Sequence, residues 1–257
     1  MTVPLTFGYH YLSDEVTKKL VKNFMNKLTV ITSIFNAEKF IKDALESGIN
    51  QTYKNFDWIL IDDCCTDKSM EMIEPIYNFF TSMLTHEKNL GQAASYNQAI
   101  ELAKTEYITY LDADDLSKHK RFATQVEFLD KNPDIWCVGT HAIVIDQDDN
   151  FVGEYNYPPE KHEDIIKFLG KNRFSPMLHP SVMFRKKDFL GYDLNKPLNY
   201  LCDDLDLWCR SILKGLKFAN IPEHLIYYRT HPGSLSNRFS KEIVQEADRI
   251  LKQYKFI

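Results

Sequence analysis

Short apolar runs alternate with segments of helical spacing through the first part of the chain. Residues 107–111 (YITYL) are β-branched or aromatic and apolar on both faces, which is typical of a buried strand in a parallel sheet. Comparable runs predict strands over 28–35 (LTVITSIF), 56–61 (FDWILI) and 82–85. Helices are expected after the first three strands, ending near Gly48, Phe80 and Ala103. This alternation predicts an α/β fold, with a Rossmann-like sheet and helices on both faces.

The pattern changes after residue 116, and the sheet is expected to become mixed. A long apolar run and a shorter one flank the polar turn DQDDN (146–150), which predicts a hairpin. The predicted strands are 135–145, 151–155, 181–185, 217–220 and 224–229. The predicted helices are 118–131, 162–170 and 203–213. No stretch is rich enough in Gly or Pro to act as a linker, so we expect one domain over 28–257, with halves 28–115 and 116–257.

Residues 1–27 are expected to form an N-terminal helical appendage. Ser13 or Asp14 can cap a helix that runs to Asn26, and its apolar stripe would pack on the main domain. Several lysines in this segment leave a membrane-surface or partner helix as the alternative.

Polar residues follow three of the predicted strands. They are Ser33 and Asn36, Asp62 and Asp63, and Asp112 and Asp114. The carboxyl ends of neighbouring parallel strands share one sheet edge, where open α/β sheets bind ligands. Asp112-Ala113-Asp114 can present two carboxylates to Mg²⁺ or Mn²⁺, and such an ion usually brings phosphates with it. The alternative is an Asp-rich turn that caps the next helix, with Asp115 as the cap.

Composition narrows the possible functions. The chain has 257 residues, 44% of them hydrophobic, and a net charge of −5. A negative net charge gives no general electrostatic attraction for nucleic acid, so nucleic-acid binding is not expected. The five cysteines show no CxxC spacing, which predicts free thiols in a reducing compartment. No apolar run reaches the roughly 18 residues of a membrane span, and the first residues do not resemble a signal peptide. We therefore expect a soluble cytoplasmic protein.

A series of segments occurs in an order that is specific as a whole, although each segment is short. They are TVITSIFNAEKFIKDALESGINQTY (29–53), WILIDDCCTD (58–67), NLGQAASYNQAI (89–100), YITYLDADD (107–115), HPSVMFRK (179–186), CDDLDLWCR (202–210) and YRTHPGSLS (228–236). On these segments the chain resembles an inverting, family 2 glycosyltransferase of the GT-A fold, of the kind that builds surface polysaccharides. The resemblance implies a metal-dependent transfer of a sugar from a nucleotide-sugar donor, most commonly a UDP-sugar, to a saccharide or lipid-linked glycan.

The resemblance also implies a nucleotide-binding role for residues in the first half. They are Ser33, Asn36, Asp63, Gly91 and Asn97. A carboxylate at position 63 can accept a hydrogen bond from a uracil N–H. Gly91 would let the backbone approach the nucleotide. The family often has an arginine two residues before this asparagine. Here Ser95 and Tyr96 precede Asn97, so no positive side chain is expected at this point of the nucleotide site.

The resemblance assigns metal binding and catalysis to two groups of acids. One is the DxD-like pair Asp112 and Asp114, and the other is the pair Asp203 and Asp204. Asp114 is the implied ligand of Mn²⁺ or Mg²⁺, with Asp112 nearer the ribose or the water shell of the metal. Asp204 takes the position of the catalytic base, which accepts a proton from the acceptor hydroxyl during inversion. Asp203 stands where the family usually has Glu, and it is assigned to substrate binding. The alternative for both is a pair of first-turn acids favoured by the helix dipole.

Two histidines lie in the segments that carry the resemblance. His179 would lie beside the acceptor, and His231 would reach the diphosphate or the metal, although a lone histidine is more often structural. Asp206 and Arg210 lie four apart and can pair with each other. Among the aromatic residues, stacking on sugars is open to Tyr155 and Tyr157, whereas core packing is expected for Trp136 and Trp208.

Two other functions are weaker alternatives. A sugar-1-phosphate nucleotidylyltransferase would be expected to have a Gly-rich, basic loop after the first strand, and SIFNAEKF has neither feature. A non-catalytic glycan- or nucleotide-binding module would have no need of both Asp114 and Asp204. Peripheral association with the cytoplasmic face of a membrane is compatible with a lipid-linked acceptor.

Overall fold

The computed structural model describes residues 26–172, 174–194, 202–234, 237 and 240–257. The helix predicted from Ser13 or Asp14, and with it almost all of the predicted appendage, lies outside these residues. At residues 26 and 27, just before β1, the Asn26 amide donates to Asp57 at 2.7 Å, and Lys27 pairs with Asp130 at 3.0 Å. The boundaries predicted at 27/28 and 115/116 stay predictions.

Nine strands of the described residues form one sheet. Their ranges are β1 Leu28–Ile34, β2 Phe56–Asp62, β3 Ser82–Thr85, β4 Tyr107–Tyr110, β5 Leu116–Ser117, β6 Ile135–Ile145, β7 Phe151–Tyr155, β8 Met183–Arg185 and β9 Lys217–Arg229. The order is β3-β2-β1-β4-β8-β6-β9-β5, with β7 on β6. β3, β2, β1 and β4 are parallel, as predicted. β8 is antiparallel to both β4 and β6, so the sheet is mixed.

The α-helices of the described residues pack on both faces of this sheet. Their ranges are α1 Ile41–Ile49, α2 Ser69–Ile73, α3 Gln92–Leu102, α4 Arg121–Lys131, α5 His162–Leu169, α6 Asp203–Leu213 and α7 Ser240–Gln253. Short 3₁₀ turns cover Glu74–Phe79, His179–Ser181 and Lys186–Asp188. Within the described ranges, every helix is too short or too polar to cross a lipid bilayer. The predicted α/β architecture is confirmed.

Several predicted elements have different boundaries. The helix expected up to Phe80 is the short α2 followed by a 3₁₀ turn, because Pro75 has no N–H to continue the α-helical pattern. The strands predicted over 217–220 and 224–229 are one strand, β9, whose register with β6 shifts at His141. β5 and α7 were not predicted. α7 buries Ala247, Ile250 and Leu251 against α6.

Two hydrophobic clusters lie on opposite faces of the sheet, because side chains alternate along each strand. In β1, Leu28 and Val30 pack with Trp58 and Phe122, whereas Ile31 packs in the other cluster. That second cluster includes Trp136 and Trp208, which are 2% and 0% exposed, as expected for core residues. The cysteines are free thiols, and Cys137, Cys202 and Cys209 are buried.

The contact between α1 and the sheet generates a stability prediction. A Cβ at Gly48 would lie 2.3 Å from Trp58 Cη2 and 2.9 Å from Leu111 Cδ2. Helix propensity alone would favour Gly48→Ala by about 1 kcal/mol, but overpacking costs about 1–3 kcal/mol. We expect Gly48→Ala to lower the free energy of unfolding in urea titrations. Gly153→Ala is the control, since its Cβ would meet no atom within 4 Å. Equal stability of both variants would contradict this packing.

Candidate active site

The carboxyl ends of β1, β2 and β4 meet at one edge of the sheet. Ile34 is in register with Asp62, and Ile31 with Tyr110. The backbone of Asp63 donates to the Ile34 carbonyl at 2.9 Å. Polar residues that follow these strands therefore emerge side by side, as the parallel pattern predicted.

Asp63 holds the turn before α3. Its side chain is buried, and its oxygens accept hydrogen bonds from the backbone N–H groups of Leu90 at 2.8 Å and Gly91 at 2.9 Å. The Nδ1 atom of His86 lies 2.8 Å from Oδ1. Gly91 has a φ of 83°, a conformation that favours glycine. The two residues predicted at the nucleotide are thus linked directly, and Oδ2 of Asp63 keeps a lone pair for one further donor.

Ser33 and Asn36 lie next to this turn. Ser33 is partly buried at the end of β1, whereas Asn36 is exposed and has a φ of 51°. The Asn36 side-chain oxygen accepts a hydrogen bond from the Thr66 backbone at 2.8 Å. Asn36 therefore ties the loop after β1 to the loop after β2, and both face the edge.

Asn97 acts on the backbone of a distant loop. Its Nδ2 donates to the Tyr192 carbonyl at 2.9 Å, and its Oδ1 accepts from the Tyr192 N–H at 2.9 Å. The hydroxyl of Tyr192 lies 2.9 Å from that of Tyr110 and 2.8 Å from Nε2 of His179. Asn97 thus positions the tyrosine that contacts His179, and its predicted contact with the substrate stays a prediction.

The three acids after β4 have different surroundings. Asp112 accepts a hydrogen bond from the Tyr96 hydroxyl at 2.6 Å. Burial raises the pKa of Asp112, the nearby His179 lowers it, and Asp114 raises it. Asp115 is 3% exposed, and burial followed by repulsion from Asp114 and Asp112 raises its pKa well above the ordinary value.

The alternative that Asp115 caps the next helix is wrong. That helix, α4, begins at Arg121, and no side chain caps it. Asp115 instead accepts a hydrogen bond from the Arg229 backbone at 2.7 Å through Oδ1. Its Oδ2 is buried and accepts no hydrogen bond from the described residues. β5, which follows Asp115, pairs with β9 in the sheet. This pairing brings the Arg229 N–H within hydrogen-bonding distance of Asp115.

Two buried arginines bind the segments that flank the three acids. The Arg121 guanidinium is 1% exposed and donates to Ser117, Gln125, Thr109 and the Tyr110 carbonyl. Burial lowers the pKa of Arg121 to about 10, and Asp112 and Asp115 oppose the shift.

The second arginine, Arg229, anchors the backbone of the acidic loop. It donates to the Asp114 carbonyl at 2.7 Å and also pairs with Asp149. Its guanidinium lies over the Phe40 ring at 4.8 Å. One buried cation is therefore near the acid side chains, and the other fixes the loop that carries them.

His231 lies against Asp114. Its Nε2 is 3.1 Å from Asp114 Oδ2, and its ring packs on Phe40 at 4.9 Å. The Gly233 N–H donates to Nδ1 at 3.2 Å, so in the neutral ring Nε2 carries the proton and donates to Asp114. This tautomer suits a contact with phosphate oxygens. Metal ligation through Nε2 would require the proton to move to Nδ1.

Asp203 and Asp204 form the first turn of α6, as the helix-dipole alternative predicted. Burial raises the pKa of Asp204, while His179 and hydrogen bonds from the Leu205 backbone and Ser175 lower it. Asp203 is partly buried. Asp206 pairs with Arg210 at 2.7 Å, which confirms that these two residues bind each other.

His179 connects the two acidic groups. Its ring stacks on Tyr110 at 4.7 Å and 16°. Its ring also lies 5.7 Å from that of Tyr96, whose hydroxyl binds Asp112, and 6.3 Å from that of Trp208, one helical turn after Asp204. The segments that carry the two acidic groups therefore meet at one imidazole, although 92 positions separate Asp112 from Asp204 in the numbering.

The donor set fits a hard divalent cation. The Asp114 side chain is 33% exposed, and among the described residues only His231 is bonded to its carboxylate. No group of three or more His, Cys, Asp or Glu side chains in the described ranges is arranged to hold an ion. Mg²⁺ is commonly held by one or two carboxylates together with substrate phosphates and water. The acids after β4 therefore fit an ion that binds together with a diphosphate.

Sequence reasoning missed the groups that support these acids. They are Tyr96, Tyr110, Arg121, Tyr192 and Arg229. The spacing of Arg121 and Gln125, four apart on one helix face, was a weak sign of a buried polar pair. Tyr96, which directly precedes Asn97, supplies a neutral donor to Asp112. No local signal marked Tyr192, because its partners lie far away in the chain.

The model for glycosyl transferase family 2 matches residues 29–190. The chain belongs to this family. An uncharacterized glycosyltransferase of Methanocaldococcus jannaschii is 32% identical over 206 residues, which cover 79% of the chain and 70% of that protein. The E. coli enzyme WfaP, a UDP-Glc:α-D-GlcNAc-diphosphoundecaprenol β-1,3-glucosyltransferase, is 27% identical, and the match covers 87% of the chain and 85% of WfaP.

Solved structures agree in fold with this family 2 glycosyltransferase. Residues 1–349 of S. aureus TarS in complex with UDP-GlcNAc match with a TM-score of 0.69 and 18% identity, over 89% of the chain and 71% of that structure. The mannosyltransferase PcManGT of Pyrobaculum calidifontis, in complex with GDP-Man and Mn²⁺, matches with a TM-score of 0.61 and 14% identity, over 93% and 81%. The protein is therefore a glycosyltransferase with the GT-A fold.

The buried guanidinium of Arg121 leads to a prediction about stability. Arg121→Met would leave four buried hydrogen-bond acceptors without their donor, and each buried polar group left unsatisfied costs about 1–3 kcal/mol. We expect a large fall in the free energy of unfolding by urea titration. Arg249→Met is the control, because Arg249 pairs with Glu246 at the surface, where an ion pair contributes about 1 kcal/mol or less. A loss at Arg121 no greater than at Arg249 would contradict the role of Arg121.

Proposed function

We propose that this enzyme inverts the anomeric carbon as it transfers a sugar from a UDP-sugar to a saccharide or lipid-linked glycan in surface-polysaccharide synthesis. The observation that carries the proposal is that the His179 ring lies within 6.3 Å of both Tyr96, which donates to Asp112, and Trp208, one turn after Asp204. Transfer needs a site for the leaving diphosphate and a base for the incoming hydroxyl, placed on either side of the reacting carbon.

The related proteins support the substrate class. WfaP acts with UDP-Glc on a diphosphoundecaprenol-linked sugar, and another relative from E. coli is an O-antigen biosynthesis glycosyltransferase. We infer a cytoplasmic enzyme that works at the membrane face when its acceptor is lipid-linked. Residues 28–115 form its nucleotide-sugar half, and residues 116–257 its acceptor half.

The nucleoside lies at the ends of β1 and β2. Asp63 is preorganised by the N–H groups of Leu90 and Gly91. The remaining lone pair on its Oδ2 accepts a uracil N–H, which cytosine lacks at that ring position. Ser33 and Asn36 border the same pocket and provide polar contacts to the base and ribose.

Asp114 would hold Mn²⁺ or Mg²⁺, and Asp112 would orient the ribose or the water shell of the ion. When bound, the ion would supply positive charge that stabilises the departing nucleoside diphosphate. The Nε2–H of His231, now on Asp114, donates to a diphosphate oxygen. Arg229 keeps the Asp114 backbone fixed through its bond to the carbonyl, so that Asp114 needs little reorganisation when the donor binds.

Asp204 accepts the proton from the acceptor hydroxyl while that oxygen attacks the anomeric carbon opposite the diphosphate. Burial raises the pKa of Asp204 and makes it a stronger base than an exposed aspartate, and the charge of His179 limits the rise. His179, held by Tyr192 and stacked on Tyr110, lies beside the acceptor. Asp203 contributes a second polar contact to the acceptor from the same turn.

The base assignment predicts the effect of Asp204→Asn. An amide cannot accept the proton, so kcat should fall by about 10²-fold or more, while the UDP affinity measured by calorimetry should stay nearly unchanged. In the native enzyme, the rate should fall as the pH falls through the raised pKa, because the protonated acid is not a base. Asp203→Asn is the comparison and should retain more activity. Normal turnover by Asp204→Asn would exclude Asp204 as the base.

The metal assignment predicts the effect of Asp114→Ala. Loss of a ligand should weaken Mn²⁺-dependent UDP binding by about tenfold or more, measured by calorimetry with and without Mn²⁺. Asp148→Ala removes a mostly exposed carboxylate from the loop between β6 and β7 and should change nothing. The same dependence on Mn²⁺ in Asp114→Ala and in the unaltered enzyme would contradict ligation by Asp114.

A further inference from the structure

An aromatic cluster lies on the acceptor half, between β7 and α5. It consists of Tyr155, Tyr157, Phe168 and Phe174, and we refer to it as the aromatic platform. Tyr157 lies 4.3 Å from Tyr155, 6.0 Å from Phe168 and 5.1 Å from Phe174, measured between ring centroids. Tyr157 is 44% exposed and Phe174 is 43% exposed. Single exposed aromatic residues are common, but a contiguous group marks a binding surface.

The aromatic platform adjoins the proposed base. The Tyr155 hydroxyl lies 3.5 Å from the Ser175 carbonyl. The Ser175 hydroxyl donates to the Met177 carbonyl at 2.7 Å, two residues before His179. On the other side, α5 packs on α6, because Leu169 and Leu205 belong to one hydrophobic cluster. Phe168 and Asp204 are the chain neighbours of these two leucines, so the aromatic surface lies next to the helical turn that carries the carboxylate.

The position of this surface determines what can occupy it. A base must lie about 2.6–3.2 Å from the hydroxyl oxygen that it deprotonates, so the sugar ring that bears this hydroxyl lies beside Asp204. The nucleotide occupies the other side, at Asp63 and Asp114. A lipid tail is separated from that hydroxyl by the sugar and the diphosphate, which places it farther away. The ring nearest to Asp204 is therefore a pyranose of the acceptor.

The chemistry of the surface suits a pyranose. One face of many sugar rings presents C–H groups, which carry partial positive charge, and aromatic faces carry negative charge. Tyr157 is partly exposed and packs against Phe168 and Phe174, so little rotamer entropy is lost on binding. Sites of this kind combine aromatic surface with a few placed polar groups, here Ser175 and Asp204.

We propose that Tyr157 and Phe174 form the acceptor subsite, on which a pyranose ring of the acceptor stacks while its hydroxyl meets Asp204. This inference rests on the proposed function, because Asp204 is taken as the base. It adds residues that determine acceptor affinity and assigns them no part in donor binding.

The test compares ring removal with ring retention. Tyr157→Leu and Phe174→Leu keep apolar bulk and remove the flat face, whereas Tyr157→Phe keeps the face. Phe151→Leu is the matched control, since Phe151 is an exposed aromatic residue of β7 at 67% exposure, outside the aromatic platform. Saturation-transfer NMR would use methyl glycosides of glucose, galactose, mannose, N-acetylglucosamine and N-acetylgalactosamine, with UDP and Mn²⁺. Kinetics would use a synthetic GlcNAc-diphosphate carrying an undecyl chain.

We expect the leucine variants at 157 and 174 to lose the glycoside signal and to raise the acceptor KM by about tenfold, with kcat and the donor KM unchanged. Tyr157→Phe and Phe151→Leu should match the unaltered enzyme. An unchanged acceptor KM in both leucine variants, or a glycoside signal that does not depend on residue 157, would overturn the subsite and leave the proposed function standing. A signal that depends on residue 157 in an enzyme that transfers no sugar would refute the proposed function and support the subsite.

Discussion

Acidic side chains withdrawn from solvent at the end of β4 are the constraint on which the rest of the site depends. Asp115 is buried and Asp112 is partly buried, and burial raises the pKa of both because a charged carboxylate is costly there. The Tyr96 hydroxyl donates to Asp112, and the Arg229 N–H donates to Asp115. Since these contacts fix the flanking acids, Asp114 is the member that keeps an accessible carboxylate. The partners of the flanking acids thus decide which acid is available to an ion.

Many polar side chains at the site bind the protein's own backbone. Asp63 holds the Leu90 and Gly91 N–H groups, and Asn97 holds Tyr192 across 95 positions of sequence. Each such bond removes freedom from a loop that borders the cleft. A site held in this way loses little entropy when the substrate binds. The Tyr192 hydroxyl in turn fixes the ring of His179, the histidine at which the two acidic segments meet.

The sequence predicted the parts of the site that depend on local pattern. Alternation of strands and helices placed Asp63 and Asp112 at one edge, because parallel strands with their crossover helices leave no other arrangement. The four-residue spacing predicted the pair of Asp206 and Arg210. The pattern of acids alone suggested a helix cap for Asp115, and that was wrong, because its partner lies 114 positions away.

By itself the sequence determined the family 2 fold, the parallel arrangement of the first four strands and the residues at their carboxyl edge, since periodicity and strand ends are properties of neighbouring residues. Only the tertiary structure decided which of these residues bind the backbone and which face the cleft. It also bound Arg121 to the Tyr110 carbonyl, two residues before Asp112, and packed the helix that carries Phe168 against the helix that carries Asp204. The physical reason is that a buried polar group takes its partner from whatever the fold brings within about 3 Å, and that distance is not encoded in any local spacing.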